Sequence, residues 1–230
     1  MPTLVIRILK SLLSLLIPLV LVLGSAHLLA TDAYLAFEYG KTSFPPDPFG
    51  FSEQQRFVLA STNIHYVRAH LPSDELAKQT MNGTPVYTPR EVSHMADVQA
   101  VFQSVLRVWQ ASLILLLLLV FILWRKGELA ALASAIQSGG FLTSGIILSI
   151  ALLALFAWQV WFDNFHLIFF EPGSWLFAYS DTLIRLFPLP FWIDATFTIS
   201  VFSLIAGLLA ALIGWRWQRA IEKTTHQIQL

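Results

Sequence analysis

TPREVSHMADVQAVFQSVLRVWQASLILLLLLVFILW, residues 88–124, is the stretch on which the fold of this chain turns. Thr88 suits an N-cap, Pro89 the first helical position, and Glu91 completes a capping box. No breaker follows until Gly127, so one helix is predicted from Pro89 through Trp124. Its second part, 104–124, shows almost no alternation of apolar and polar faces, unlike a surface helix of a water-soluble protein. Three further runs share that character: 4–30, 141–161 and 191–215. About 20 apolar residues span the hydrocarbon core of a bilayer. Across the chain 56% of residues are apolar and only 12% charged. The expected fold class is an all-α membrane protein. It has four transmembrane helices in a single membrane domain, residues 1–230, with a small, mostly helical extracytoplasmic cap.

Basic residues give the orientation. Arg7 and Lys10 flank the first run, Arg125 and Lys126 follow the second, and Arg216, Arg219 and Lys223 follow the fourth. The positive-inside rule then puts both termini and the 125–140 connection in the cytoplasm. Segments 31–103 and 162–190 face outward, the latter with only Arg185 against Asp163, Glu171 and Asp181. The basic start and small residues at Gly24-Ser25-Ala26 also fit a cleaved signal peptide. The apolar run continues to Ala30, which favours a retained span.

Segment 31–103 comprises the cap and the start of the second long helix. Ser52 and Gln55 form a capping box that opens a helix near 53–67. A short helix is expected to start within Leu71-Pro-Ser-Asp-Glu, and a turn at Asn82-Gly83, with short strands around Val86-Tyr87.

Two histidines are the candidates for chemistry. His94 has Asp97 three residues on, and His166 has Asp163 three residues before. Thirty residues separate His94 from Trp124, roughly 45 Å of helix, while a bilayer with headgroups is about 40–45 Å thick. His166 follows Phe141 by twenty-five residues, roughly 38 Å if the third helix continues that far. Both imidazoles would then lie at headgroup depth on the outer side. Imidazole exchanges protons near neutral pH, and a nearby carboxylate fixes its tautomer and orientation. Ordinary interfacial hydrogen bonding is the competing account of each ring. The outer segment 162–190 is strongly aromatic, which suits a water–lipid interface. Asp181 and Arg185 stand one turn apart in it, with Asp181 or Ser180 as a helix cap. Arg185 and Arg107 either snorkel or hold a carbonyl or phosphate oxygen.

Glu91-Val-Ser-His94-Met-Ala-Asp97-Val98 resembles a hallmark of the bacterial lipoprotein intramolecular transacylases, Lit. So does Phe165-His166 with Phe169-Phe170, Trp175, Asp181-x-Leu183-Ile184, Pro188 and Phe191. The four-span layout with one long outer loop also resembles that family, so the likeness covers nearly the whole chain. Ala178-Tyr179 departs from the Asp-Pro often found there. The resemblance implies a bacterial plasma-membrane enzyme that needs no cofactor or metal and whose site faces outward. It would move the sn-2 acyl chain of a diacylglyceryl-modified N-terminal Cys to the α-amine of that Cys, giving a lyso-form lipoprotein. The partners implied are a diacylated lipoprotein N-terminus and membrane lipid. His94 and His166 inherit the catalytic roles, with His94 assigned as base and His166 as acid or oxyanion stabiliser, or the reverse. Asp97, Asp163, Arg185 and Asp181 are expected to support them, and Trp175, Phe170 and Arg107 to contact substrate.

Two other classes compete. A metal-dependent lipid hydrolase could draw on His94, Asp97, Asp163 and His166, although no His-x-x-x-His spacing occurs. A non-catalytic lipid-binding protein would use its histidines structurally. The formal net charge of zero gives no nucleic-acid reading. The absence of cysteine excludes disulfides, thiolate metal sites and a Cys nucleophile.

Overall fold

The computed structural model describes residues 1–228, with side chains to residue 224. Its elements in order are α1 (Thr3–Leu29), α2 (Asp32–Tyr39), α3 (Glu53–Ala69), α4 (Asp74–Ala77), β1 (Thr80–Met81), β2 (Thr84–Pro85), α5 (Pro89–Arg125), α6 (Leu129–Phe156), α7 (Trp158–Phe169), α8 (Thr182–Leu186) and α9 (Leu189–Ile228). Among the described residues, α1, α5, α6 and α9 contain runs long and apolar enough to cross a membrane.

The helix read from residues 88–124 forms as one element, α5. Thr88 Oγ1 accepts from Glu91 N at 3.3 Å, and Glu91 Oε2 accepts from Thr88 N at 2.8 Å. This reciprocal box satisfies donors that a helix N-terminus otherwise leaves bare.

Two boundary expectations are corrected. The connection expected at 125–140 shrinks to 126–128, because α6 starts at Leu129. The polar and glycine-rich Gln137-Ser-Gly-Gly140 is helical, and its small residues serve packing. The third helix does not continue to His166. It stops at Phe156, Ala157 leaves helical geometry with φ −145° and ψ 54°, and α7 starts anew at Trp158. Neither proline nor glycine marks that break, and the extrapolated 38 Å therefore does not apply to His166.

The chain divides into two compact units. One comprises Met1–Ser25, Arg107–Leu152 and Ile199–Leu230. Here Leu13, Leu119, Leu123, Leu132 and Ala135 form a buried cluster. A Cβ on Gly140 would lie 2.4 Å from Ala211 N, and one on Gly214 would lie 2.4 Å from Gln137 N. Glycine therefore lets α6 and α9 approach backbone to backbone, as small residues do where lipid supplies no hydrophobic drive between helices. Ile114, Leu117, Leu118 and Phe121 on α5 stay exposed, as lipid-facing residues do.

The other unit comprises Ala26–Leu106 and Leu153–Thr198. The capping box of α3 forms as expected, with Ser52 and Gln55 each bonding the other's backbone N–H. At its far end the left-handed His70 (φ 54°) stops the helix. Gln99 Nε2 donates to Tyr66 O and Leu71 O, and Gln103 Nε2 donates to Val67 O and Arg68 O. Gln103 of α5 thus satisfies two carbonyls that the last turn of α3 leaves open, and Gln99 ties that helix end to Leu71 beyond it. The short strands fall at 80–81 and 84–85 rather than around Val86-Tyr87. Asn82 and Gly83, both at positive φ, supply the two-residue turn between them. One element was not expected: α2, which Thr31 caps by accepting from Tyr34 N.

Candidate active site

The site is built within the second unit by α5, α7 and the segment joining α7 to α8. His94 lies in the second turn of α5, half-buried. Its ring stands 5.2 Å from Phe170 and 5.3 Å from Phe177. Its Nδ1 is buried and has no hydrogen-bond partner among the described residues. His166, on α7, packs against the same Phe170 ring at 5.7 Å and against Trp175 at 5.1 Å with the planes 30° apart. Both imidazoles therefore meet one aromatic wall.

The two rings differ in their hydrogen bonding. His166 Nδ1 lies 2.7 Å from Phe162 O. A carbonyl can only accept, so Nδ1 carries the hydrogen and Nε2 of the neutral ring holds the free lone pair. Burial pushes the His166 imidazole below its ordinary 6.5, against the opposing pull of the Phe162 carbonyl and the Asp163 charge. The ring is thus neutral at pH 7, with Nε2 basic.

The aromatic wall is held by a local device. Glu171-Pro172-Gly173-Ser174 closes a turn through Ser174 N to Glu171 O at 3.0 Å, with Gly173 at φ 83°. Proline second and a positive-φ glycine third are what a type II turn requires. Arg90 Nη2 donates to Gly173 O at 2.8 Å, and the guanidinium lies over the Phe177 ring. The first turn of α5 thereby clasps the segment that presents Trp175 and Phe177 to the histidines.

The other candidates take different partners from those expected. Asp163 accepts two hydrogen bonds from Gln159 and none from His166. Asp97 is exposed and makes no hydrogen bond to His94. Neither carboxylate makes a hydrogen bond to a ring: the Phe162 carbonyl holds His166 Nδ1, and Phe170 and Phe177 flank His94. Asp181 occupies the N-cap position of α8 without a side-chain cap, and its Oδ2 accepts from Ala178 N. Arg185 is paired within the protein: Nε and Nη2 donate to Asp47 at 3.0 and 2.9 Å, and the guanidinium covers the Phe51 ring. Burial alone would raise the Asp47 carboxyl, but hydrogen bonds from Arg185 and Phe51 N hold it below its ordinary value. Arg107 belongs to the first unit. No group of three or more His, Asp or Glu suited to a metal forms among the described residues.

Glu91 was legible only as a cap, yet it does more. It is 1% exposed, and its Oε1 accepts from Leu183 N at 2.8 Å. One carboxylate therefore starts α5 and anchors the first turn of α8. Thr182 Oγ1 reinforces the link by donating to Val86 O, a short bond. An open cavity of about 440 Å³ lies beside this junction, lined by Val86, Tyr87, Glu91, Asp181, Thr182 and Arg185 among others. Neither histidine lines it.

Four apolar helices and two histidines on a common aromatic wall describe an integral membrane protein with a candidate acid–base site. The sequence model of the lipoprotein intramolecular transacylase Lit matches residues 11–192. The chain therefore belongs to the Lit family, a family of acyltransferases. An uncharacterized protein of Aquifex aeolicus (strain VF5) is 30% identical over 198 residues, covering 83% of this chain and 85% of that one. The fold of the present chain is similar to the in meso structure of the membrane integral lipoprotein intramolecular transacylase Lit from Bacillus cereus. The TM-score is 0.79 at 17% identity, over 96% of this chain and 98% of that one. A structure of the Bacillus cereus protein carrying a His-to-Arg mutation gives 0.70 at 16% identity, over 96% and 95% of the two chains.

Proposed function

We propose that this protein moves an acyl chain within one lipoprotein of the bacterial plasma membrane. The chain leaves the sn-2 ester of the diacylglyceryl-Cys and forms an amide on the α-amine of that Cys, and the product is a lyso-form lipoprotein. The observation that carries this reading, beside family membership, is the meeting of His94 and His166 at Phe170.

The chemistry balances without a cofactor. The α-ammonium has a pKa near 7.7–8.0, so the free amine is reached at pH 7 for about 1 kcal/mol. Amine and ester belong to one molecule, which gives the attack a high effective concentration. As the C–N bond forms, the nitrogen sheds a proton to Nε2 of His166, the nitrogen left basic by the Phe162 contact. As the ester C–O bond breaks, the glyceryl oxygen receives a proton. His94, whose Nδ1 has no fixed partner, relays it. No net proton or water is consumed. This assigns His166 as base and His94 as relay and acid.

We place the cap and the site outward, with both termini cytoplasmic, on the positive-inside pattern. Because the chain has no cysteine, Asn82→Cys provides a single label on the exposed hairpin turn. It should react with an impermeant thiol reagent in intact cells; labelling only after lysis would reverse the orientation. The reaction is tested with a diacyl lipopeptide whose α-amine is acetylated. It lacks the nucleophile and should be inert. Release of its sn-2 chain would identify a hydrolase instead.

A further inference from the structure

The Trp175 indole N–H is buried without a hydrogen-bond partner among the described residues, as are Ser174 Oγ and His94 Nδ1. Trp175 is only 8% exposed. A buried donor left unpaired costs about 1–3 kcal/mol, and native proteins retain few such groups without a reason. Of the three atoms here, the Trp175 donor belongs to a ring packed on His166, and the His94 atom belongs to the other imidazole of the pair. Trp175 packs against the proposed base, His166, with ring centroids 5.1 Å apart and the planes tilted by 30°. Nothing in the packing of an aromatic wall demands an indole: Phe170 and Phe177 do the same work with no polar atom. The turn at Pro172-Gly173 and the Arg90 clasp nevertheless fix Trp175 at that place.

We infer that Trp175 is a catalytic residue whose indole N–H donates to the ester carbonyl oxygen and stabilises the oxyanion formed when the α-amine attacks. The inference rests on the transacylase reading. Attack opens the C=O double bond and leaves the negative charge on that oxygen; collapse restores the double bond and expels the glyceryl oxygen. The donor moves no proton in either step. It acts in a site closed by aromatic rings, where a hydrogen bond to developing charge has more effect than in water. Because this N–H is buried, the proposal requires a neighbouring aromatic ring, such as Phe170, to move aside as the ester enters.

The decisive comparison is wild type against Trp175→Phe with a synthetic diacyl lipopeptide in detergent. Phenylalanine keeps an aromatic ring against His166 and removes the donor together with part of the bicycle, so benzothienylalanine at 175, which replaces only N–H by sulfur, is the control for lost packing. Loss of one oxyanion donor lowers kcat by about 10²–10³-fold, with KM within about threefold because the interaction belongs to the transition state. Affinity for a phosphonate mimic of the tetrahedral adduct should fall with kcat, whereas affinity for the substrate should not. Should Trp175→Phe fail to fold, benzothienylalanine at 175 keeps the indole shape with sulfur in place of N–H, and the same losses are expected. A variant within threefold of wild-type kcat, or one that weakens phosphonate and substrate equally, overturns the inference and leaves the transacylase reading standing. A wild-type protein that transfers no acyl chain to nitrogen overturns both.

Discussion

Replacement of Glu91 by glutamine changes two atoms' chemistry and almost no shape. The Glu91 carboxylate accepts from Thr88 N and Leu183 N, both at 2.8 Å, in a place only 1% exposed. A glutamine amide offers one acceptor oxygen, so one of the two N–H groups must face an NH₂. A hydrogen bond to a charged group contributes about 1.5–3 kcal/mol. Glu91→Gln should therefore lose about that amount, and Glu91→Ala, which strands both donors, about twice it. For a chain of this size each kcal/mol shifts Tm by about 2–4 °C, so about 3–12 °C is expected for glutamine. Thermal unfolding of the detergent-solubilised protein, followed by tryptophan fluorescence, measures this. A Glu91→Gln variant within 1 °C of wild type, or Glu91→Ala no less stable than Glu91→Gln, would refute the claim that this carboxylate ties α5 to α8.

Gly140→Val should destabilise the first unit, because even a Cβ there meets Ala211 N at 2.4 Å. A lower melting temperature with cleavable packing of α6 against α9, read by protease sensitivity, is expected; an unchanged protein would contradict the close approach. His166 binds its proton less readily in the folded state than at its ordinary 6.5. The unfolded chain then takes up more protons just below pH 6.5, so stability should fall as pH drops below 6.5 towards the lowered native value. A His166→Gln variant should show less of this loss between pH 6.5 and 5, and equal slopes would contradict it. Asp163→Asn and Asp97→Asn should each retain transfer within about tenfold, since neither carboxylate touches an imidazole. A loss as large as that of His166→Ala would restore the carboxylates to the machinery.

What the sequence disclosed was local. Thr88 with Glu91 and Ser52 with Gln55 announced two helix starts, because a capping box is a contact between residues three apart. Asn82-Gly83 announced the hairpin for the same reason. The four apolar runs were legible because lipid selects composition over a whole helix length. Long-range partners were hidden. Asp47 lies 138 positions from Arg185, and no periodicity connects them, so Arg185 looked available for a substrate oxygen. Asp163 stands at helical spacing from both Gln159 and His166, and spacing alone favoured the histidine. The break at Ala157 carries no proline or glycine to betray it. Glu91 showed only its capping half, since its second partner, Leu183, comes from another element.

The central claim is that an acyl chain changes position within one molecule, and mass spectrometry of one peptide tests it. The purified protein is incubated with a synthetic diacyl lipopeptide, with and without chelator, and the N-terminal fragment is sequenced in the spectrometer. The account predicts an unchanged total mass, one acyl group moved from the glyceryl oxygen to the α-nitrogen, insensitivity to chelator, and no such product from His94→Ala or His166→Ala. A peptide lighter by one acyl chain, or rearrangement persisting in both histidine variants, would contradict it.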